Sequence, residues 1–344
     1  MRLKTTALLL SAALGFGTFS TPALATTMFG SLSNFDVVND TGEICRGFEI
    51  ELEGVNPSDI SFTFGNPYIR YGDPTLTPTG SGGTIVRYAS TWDGTNWAVG
   101  TPVPSGAFPT GGHECFYPAY GGDPNYETLG GEHFGIALNG NPTNTIYRWL
   151  LGDTSGNLIA AGSNVKIPAP IWNVQAPANP AAPAAVQAVI PAPPIEPGDV
   201  FGEAMWVKVF VMEAAEPAEL EHLLPGDPRV PDGSEPAEIE IEWQLLQAGK
   251  DGVGEIDSGL ADLAEDSQSI TRRYEFYKYI GPYNEEGEAK VEDAEAHPEA
   301  VGEFLGSQNA ALNLEPFIIP EPSTLALLGI GLTIVAGYRW RRGR

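Results

Sequence analysis

Residues 47–55 read GFEIELEGV. Phe48, Ile50 and Leu52 alternate with Glu49, Glu51 and Glu53, a period of two that sends apolar side chains to one face and carboxylates to the other. That is the pattern of a half-buried antiparallel strand. The neighbouring segments repeat the theme. FDVV (35–38), ISFTFG (60–65), TIVRYAST (84–91), HFGIALNG (133–140) and TIYRWLLGD (145–153) are rich in β-branched and aromatic residues. Between them lie NDTG, NPSD, GNP, GDP, WDGTNW and NGNP, which supply the Asn, Asp, Gly and Pro that turns favour. No long amphipathic helix competes. Many short strands at this spacing predict an antiparallel β-sandwich-like domain over residues 26–165.

Outward from that domain the composition changes. Residues 166–199 are rich in Pro and Ala, as expected of a semi-rigid, polyproline-like linker, with Ile171 to Val174 interrupting it as a segment able to dock as an edge strand. Strand patterns then resume over 200–319. AMWVKVFVMEA sets Trp206, Lys208 and Phe210 against Val207, Val209 and Val211; EIEIEWQLLQ sets Ile239, Ile241 and Trp243 against Glu238, Glu240 and Glu242. SITRRYEFYKYIG sets Tyr274, Phe276 and Lys278 against Glu275, Tyr277 and Tyr279. The last two suggest a hairpin around a long acidic loop, and the stretch after Asn284 reads as turn-rich or weakly helical. The expected fold class is therefore mainly β: two antiparallel β-sandwich-like domains joined by a Pro/Ala-rich linker.

The chain has 344 residues and a formal net charge of −26. Residues 201–319 supply most of it, with about 27 acids against 7 bases. A nucleic-acid partner needs a basic face, and basic residues cluster only at the two ends of the chain. A solvated acidic surface suits an exported protein. Calcium is the one cofactor the charge suggests: Asp251, Glu255, Asp257, Asp262 and Asp266 are oxygen donors on the acidic loop, though they depart from the EF-hand spacing.

Candidate sites are few. GGHEC and GGEHF mirror each other about twenty residues apart and bring together His113, Glu114, Glu132 and His133, a donor set suited to zinc or another divalent metal. The same residues can equally serve as structural groups bonded to loop backbone. Cys45 and Cys115 are the only cysteines, and an exported chain favours a single disulfide between them over two buried thiols. Trp92 and Trp97 flank a turn, either packed on the sheet or offered to a sugar ring. Nucleophile-elbow, P-loop and dinucleotide fingerprints are missing, so no catalytic residue is assigned.

The two ends read as addresses. Residues 1–25 have the three parts of a signal peptide: Arg2 and Lys4, the apolar run from Ala7 to Phe19, and the small-x-small site Ala23-Leu24-Ala25. At the other end come Pro320-Glu321-Pro322, an uncharged stretch from Ser323 to Tyr338, and Arg339, Arg341, Arg342 and Arg344. Such a span is short for a transmembrane helix, and its arginines belong on the cytoplasmic side. This tripartite end (320–344) resembles the PEP-CTERM sorting signal of exported bacterial proteins. The resemblance implies a transient inner-membrane pass, an exosortase-like processing enzyme as partner, and a setting among envelope or exopolysaccharide components. An uncut single-pass anchor is the alternative. The expected function is an exported surface or matrix protein of structural or adhesive character. A secreted polysaccharide hydrolase and a calcium- or metal-dependent glycan-binding module are the alternatives.

Overall fold

A computed structural model of the chain describes residues 28–105, 113–161, 165–175, 185–223, 240–252, 254–257, 261–262 and 267–314. Both addresses, 1–25 and 320–344, lie outside these residues. Among the described residues no helix is long and apolar enough to cross a membrane.

In chain order the strands are β1 (Met28–Val38), β2 (Cys45–Glu53), β3 (Ile60–Thr63), β4 (Thr75–Pro78), β5 (Thr84–Ala89), β6 (Gly131–Leu138), β7 (Asn144–Gly152), β8 (Leu158–Ala160), β9 (Ile171–Gln175), β10 (Ala185–Pro191), β11 (Met205–Ala214), β12 (Glu240–Leu246), β13 (Glu255–Asp257), β14 (Ala261–Asp262), β15 (Ser269–Tyr279) and β16 (Val301–Leu314). A five-stranded sheet has the order β4-β5-β2-β7-β8. A seven-stranded sheet has the order β12-β11-β15-β16-β1-β6-β3, and a four-stranded sheet forms around β10. All pairings are antiparallel.

The alternation in β2 does what its pattern predicts. Phe48, Ile50 and Leu52 are buried, and Phe48 stacks on Phe134 of β6 with ring centroids 4.4 Å apart. Phe35 of β1 stacks on Tyr147 of β7 at 4.5 Å. These contacts join the five- and seven-stranded sheets around one shared core. On the opposite face of β2, Glu49 pairs with Arg87 of β5 and Glu51 with Arg148 of β7 at 2.6 Å. Cross-strand pairs of this kind contribute roughly 0.2–1 kcal/mol each.

Three expectations need correction. The sheets do not follow the division at 166–199: β1 lies between β6 of the first half and β16 of the second. The Pro/Ala-rich segment contributes β9 and β10, with Trp172, Val186, Ala188 and Ile190 buried. Small apolar side chains between the prolines let it enter the core. Second, β12 and β15 are not a hairpin, because β11 lies between them and pairs with both. Its Val207 and Val209 face the shared core, while Trp206 packs in a second cluster with Tyr279. Third, the late stretch read as turn-rich or weakly helical ends in the fourteen-residue strand β16, central in the seven-stranded sheet.

Candidate functional site

Beside β16, the cross-strand pair Asp36 (β1) and His133 (β6) sits in direct register. Alternation puts both side chains on the face of the sheet opposite Phe35 and Phe134. Ser307 of β16 and Glu275 of β15 continue the same row, and Asn34, Asn309 and Arg273 form the next. This face is polar yet buried: Asp36, His133, Ser307 and Asn309 are each 0% exposed.

Asp36 is held on both oxygens. His133 Nδ1 lies 2.7 Å from Oδ1, and the backbone N–H groups of Glu114 and Cys115 donate to Oδ2 at 2.7 and 3.2 Å. Burial opposes the charge, but these partners together with His113 hold the carboxyl below its ordinary pKa. His133 is walled by Phe64 at 4.4 Å, Phe116 at 5.6 Å and His113 at 5.2 Å between ring centroids.

His113 enters with φ of 60°, a left-handed conformation uncommon outside glycine. Neither of its ring nitrogens has a partner at hydrogen-bonding geometry, and neither does His133 Nε2. Each such orphaned buried group costs about 1–3 kcal/mol. Burial lowers the His113 pKa to about 3, with Asp36 and the adjacent Asn309 amide working against it. The ring is therefore neutral at physiological pH. One ligand atom from each of Asp36, His113 and His133 lies within 4.8 Å of the other two.

The four residues expected to share a site are thus split. His113 and His133 come together. Glu132, next to His133 on β6, faces the other side of the sheet, where it meets Arg70 Nε at 2.5 Å, Thr101 Oγ1 at 2.6 Å and Tyr126 Oη at 2.5 Å. Burial raises its pKa, while Arg70 and the two hydroxyls favour the ionised form. Glu114 contributes its backbone N–H to Asp36, and its half-buried carboxyl is not among the clustered donors. Asp36 was missed as a site residue. Its signal was present, since FDVV places one acid inside an apolar strand.

The expected disulfide is not formed. Cys45 and Cys115 are free and buried. The Cys45 thiol donates to Asn39 Oδ1 at 3.2 Å, whereas Cys115 sits beside Asp36. Burial pushes the Cys45 pKa up to about 12 and raises that of Cys115 as well. Trp92 and Trp97 pack on each other at 5.3 Å, and Trp97 Nε1 donates to the Asp153 carbonyl at 3.2 Å. Of the acidic-loop residues, Glu255 and Asp257 lie on β13 and Asp262 on β14, both paired to β10. Asp251 is exposed, and Asp266 lies outside the described residues.

Comparison with curated proteins and with solved structures gave no match. Residues 319–343, which include Pro320, Glu321 and Pro322, match the family model described as the PEP-CTERM protein-sorting motif. That motif marks an exported protein that is anchored in the membrane by its C-terminus until an exosortase, itself a membrane enzyme, processes it. At its C-terminus this chain carries the PEP-CTERM sorting signal of an exosortase substrate.

Proposed function

We propose that the chain is a non-catalytic surface or extracellular-matrix protein with a structural or adhesive role in an exopolysaccharide or biofilm setting. The sorting motif at 319–343 carries this reading. The N-terminal signal peptide over 1–25 starts export, and cleavage near Pro320-Glu321-Pro322 releases the body from the inner membrane.

The fold suits that route. Met28 of β1 pairs with Leu314 of β16, so the strands nearest the two addresses end side by side. A tethered body would hang from the end of two inner strands of its seven-stranded sheet. The two histidines singled out in the sequence are 0–2% exposed, out of reach of a polymeric substrate. The acidic second half keeps the released body soluble and hydrated among neutral or cationic matrix components.

Replacing Pro320, Glu321 and Pro322 together by alanine should leave a full-length chain in the inner-membrane fraction, read by intact mass. The unaltered chain should reach the surface or medium without its arginine tail. Identical processing of both would refute the route. A deletion strain with unchanged surface adhesion and matrix retention would refute the role.

A further inference from the structure

The polar row under β1 and β6 ends in three nitrogen atoms with no hydrogen-bond partner, all in residues at least 98% buried. Proteins rarely leave such atoms empty-handed. Asp36 Oδ1 and His133 Nδ1 face each other at 2.7 Å, so an ion in place of their shared proton can take both as ligands. His113 is held in a left-handed backbone conformation with its ring edge-on to that of His133, at an interplanar angle of 90°. Strain of this kind persists where the surroundings enforce it, often at ligand sites. Asn309 adds an oxygen: its Nδ2 donates to the Leu223 carbonyl at 2.7 Å, while Oδ1 has no hydrogen-bond partner.

We infer that Asp36, His113 and His133 form an enclosed site for a zinc-class divalent ion. The ligand atoms lie within 4.8 Å of one another, and four-coordinate zinc with bonds of about 2.0–2.1 Å needs separations of about 3.3 Å. Side-chain shifts of about 1 Å close that gap. Imidazole nitrogens select zinc and its transition-metal neighbours over calcium and magnesium, which take oxygen. Both imidazoles bind a metal in their neutral form. Arg273, the cation nearest this face, is committed to Glu275 at 3.0 Å. The site is closed to solvent, so the ion is structural. It enters while the segment bearing His113 settles over β1 and β6, and it leaves slowly thereafter.

The test uses the exported protein purified from cells grown with added zinc. Elemental analysis after gel filtration should find one equivalent of zinc per chain. Protein unfolded with chelator and refolded with cobalt chloride should show the visible absorption of a four-coordinate nitrogen/oxygen site. His113→Ala and His133→Ala should each lose that equivalent, and His297→Ala, at an exposed histidine, should keep it. If the first two variants fail to refold, X-ray absorption of the unaltered zinc protein decides: two imidazole ligands support the site, and none overturns it. Purified protein with less than a tenth of an equivalent overturns the inference, as does full zinc retention in folded His113→Ala or His133→Ala.

Discussion

Arg70→Met isolates the energetics of the other buried carboxylate. Arg70 and Glu132 have side chains 8% and 0% exposed, with Nε and Oε1 2.5 Å apart. The guanidinium also donates to the carbonyls of Gly100 at 3.1 Å and Tyr126 at 2.9 Å, and it stacks over the Tyr126 ring at 4.4 Å. Methionine keeps much of the packing volume and removes the charge. Glu132 then retains only the Thr101 and Tyr126 hydroxyls. At an effective dielectric of about 20, a charge pair about 3 Å apart interacts by roughly 5 kcal/mol. Breaking buried pairs costs about 3–5 kcal/mol, in agreement. For a protein of this size that lowers Tm by about 10 °C. The assay is urea unfolding followed by tryptophan fluorescence, with Trp149 in the shared core as reporter. The double variant Arg70→Met/Glu132→Gln should recover more than half the loss, because the stranded charge is gone while the hydroxyls keep an acceptor. A single-variant cost below about 1 kcal/mol, or strictly additive effects in the double variant, would refute the reasoning.

Burial raises the Asp40 pKa to about 6 against the pull of Lys166, and its Oδ1 has no hydrogen-bond partner. A carboxyl with a raised folded pKa weakens the fold once ionised, so Asp40→Asn should stabilise by about 2 kcal/mol at pH 8. That gain should shrink as pH falls through 6 and vanish near 4; a gain independent of pH in denaturant titrations would contradict the assignment. Both cysteines should resist thiol reagents in the native protein and react fully after unfolding without reductant, and an intact mass two hydrogens short would show a disulfide instead. Deleting Val301–Leu314 should abolish cooperative unfolding, whereas a stop codon after Leu314 should preserve it. Retention of a sharp transition without β16 would mean that the central sheet closes without its longest strand.

How much of this was legible follows from where polarity is placed. β2 announces itself because its polar face meets solvent and arginines. β16 hides because its polar face is buried: Ser307, Asn309 and Asn313 lie against Asp36, Asn34 and the segment at Ala218, where hydrogen bonds replace water. A reading by hydropathy period takes such residues for a loop. Gly306 deepens the disguise. Its φ is 151°, and an added Cβ would come within 2.7 Å of the Asp36 carbonyl oxygen. The residue reads as a turn and instead allows a close backbone approach in mid-strand. In the site, residue type pointed to His113 and His133, and the mirrored glycine motifs drew attention to them. The choice of Glu132 as their partner ignored alternation: neighbours on a strand face opposite ways, so His133 and Glu132 could not share a site once GEHF was strand. The acid that meets His133 comes from ninety-seven residues upstream, through a pairing that no local pattern contains.

That long-range pairing bears on the order of events in export. β1 is the first described strand, yet one of its edges is filled only by β16, and Met28 and Leu314 are 286 residues apart in sequence. Contacts of such separation form late, since the loop must close before they contribute. Until β16 emerges, β1 presents an unpaired edge beside Asp36 and Asn34, groups whose burial depends on being covered. The sorting motif begins only a few residues after β16 ends. Residues 315–319 span at most about 18 Å even when fully extended. The C-terminal anchor therefore holds the chain at the membrane at the moment when the last strand becomes available to complete the sheet. Cleavage before β16 is seated would release a body with an open central edge, the species most prone to pair with another copy. An anchor that outlasts the closing of the β1–β16 ladder makes the two steps sequential, with folding first and release second.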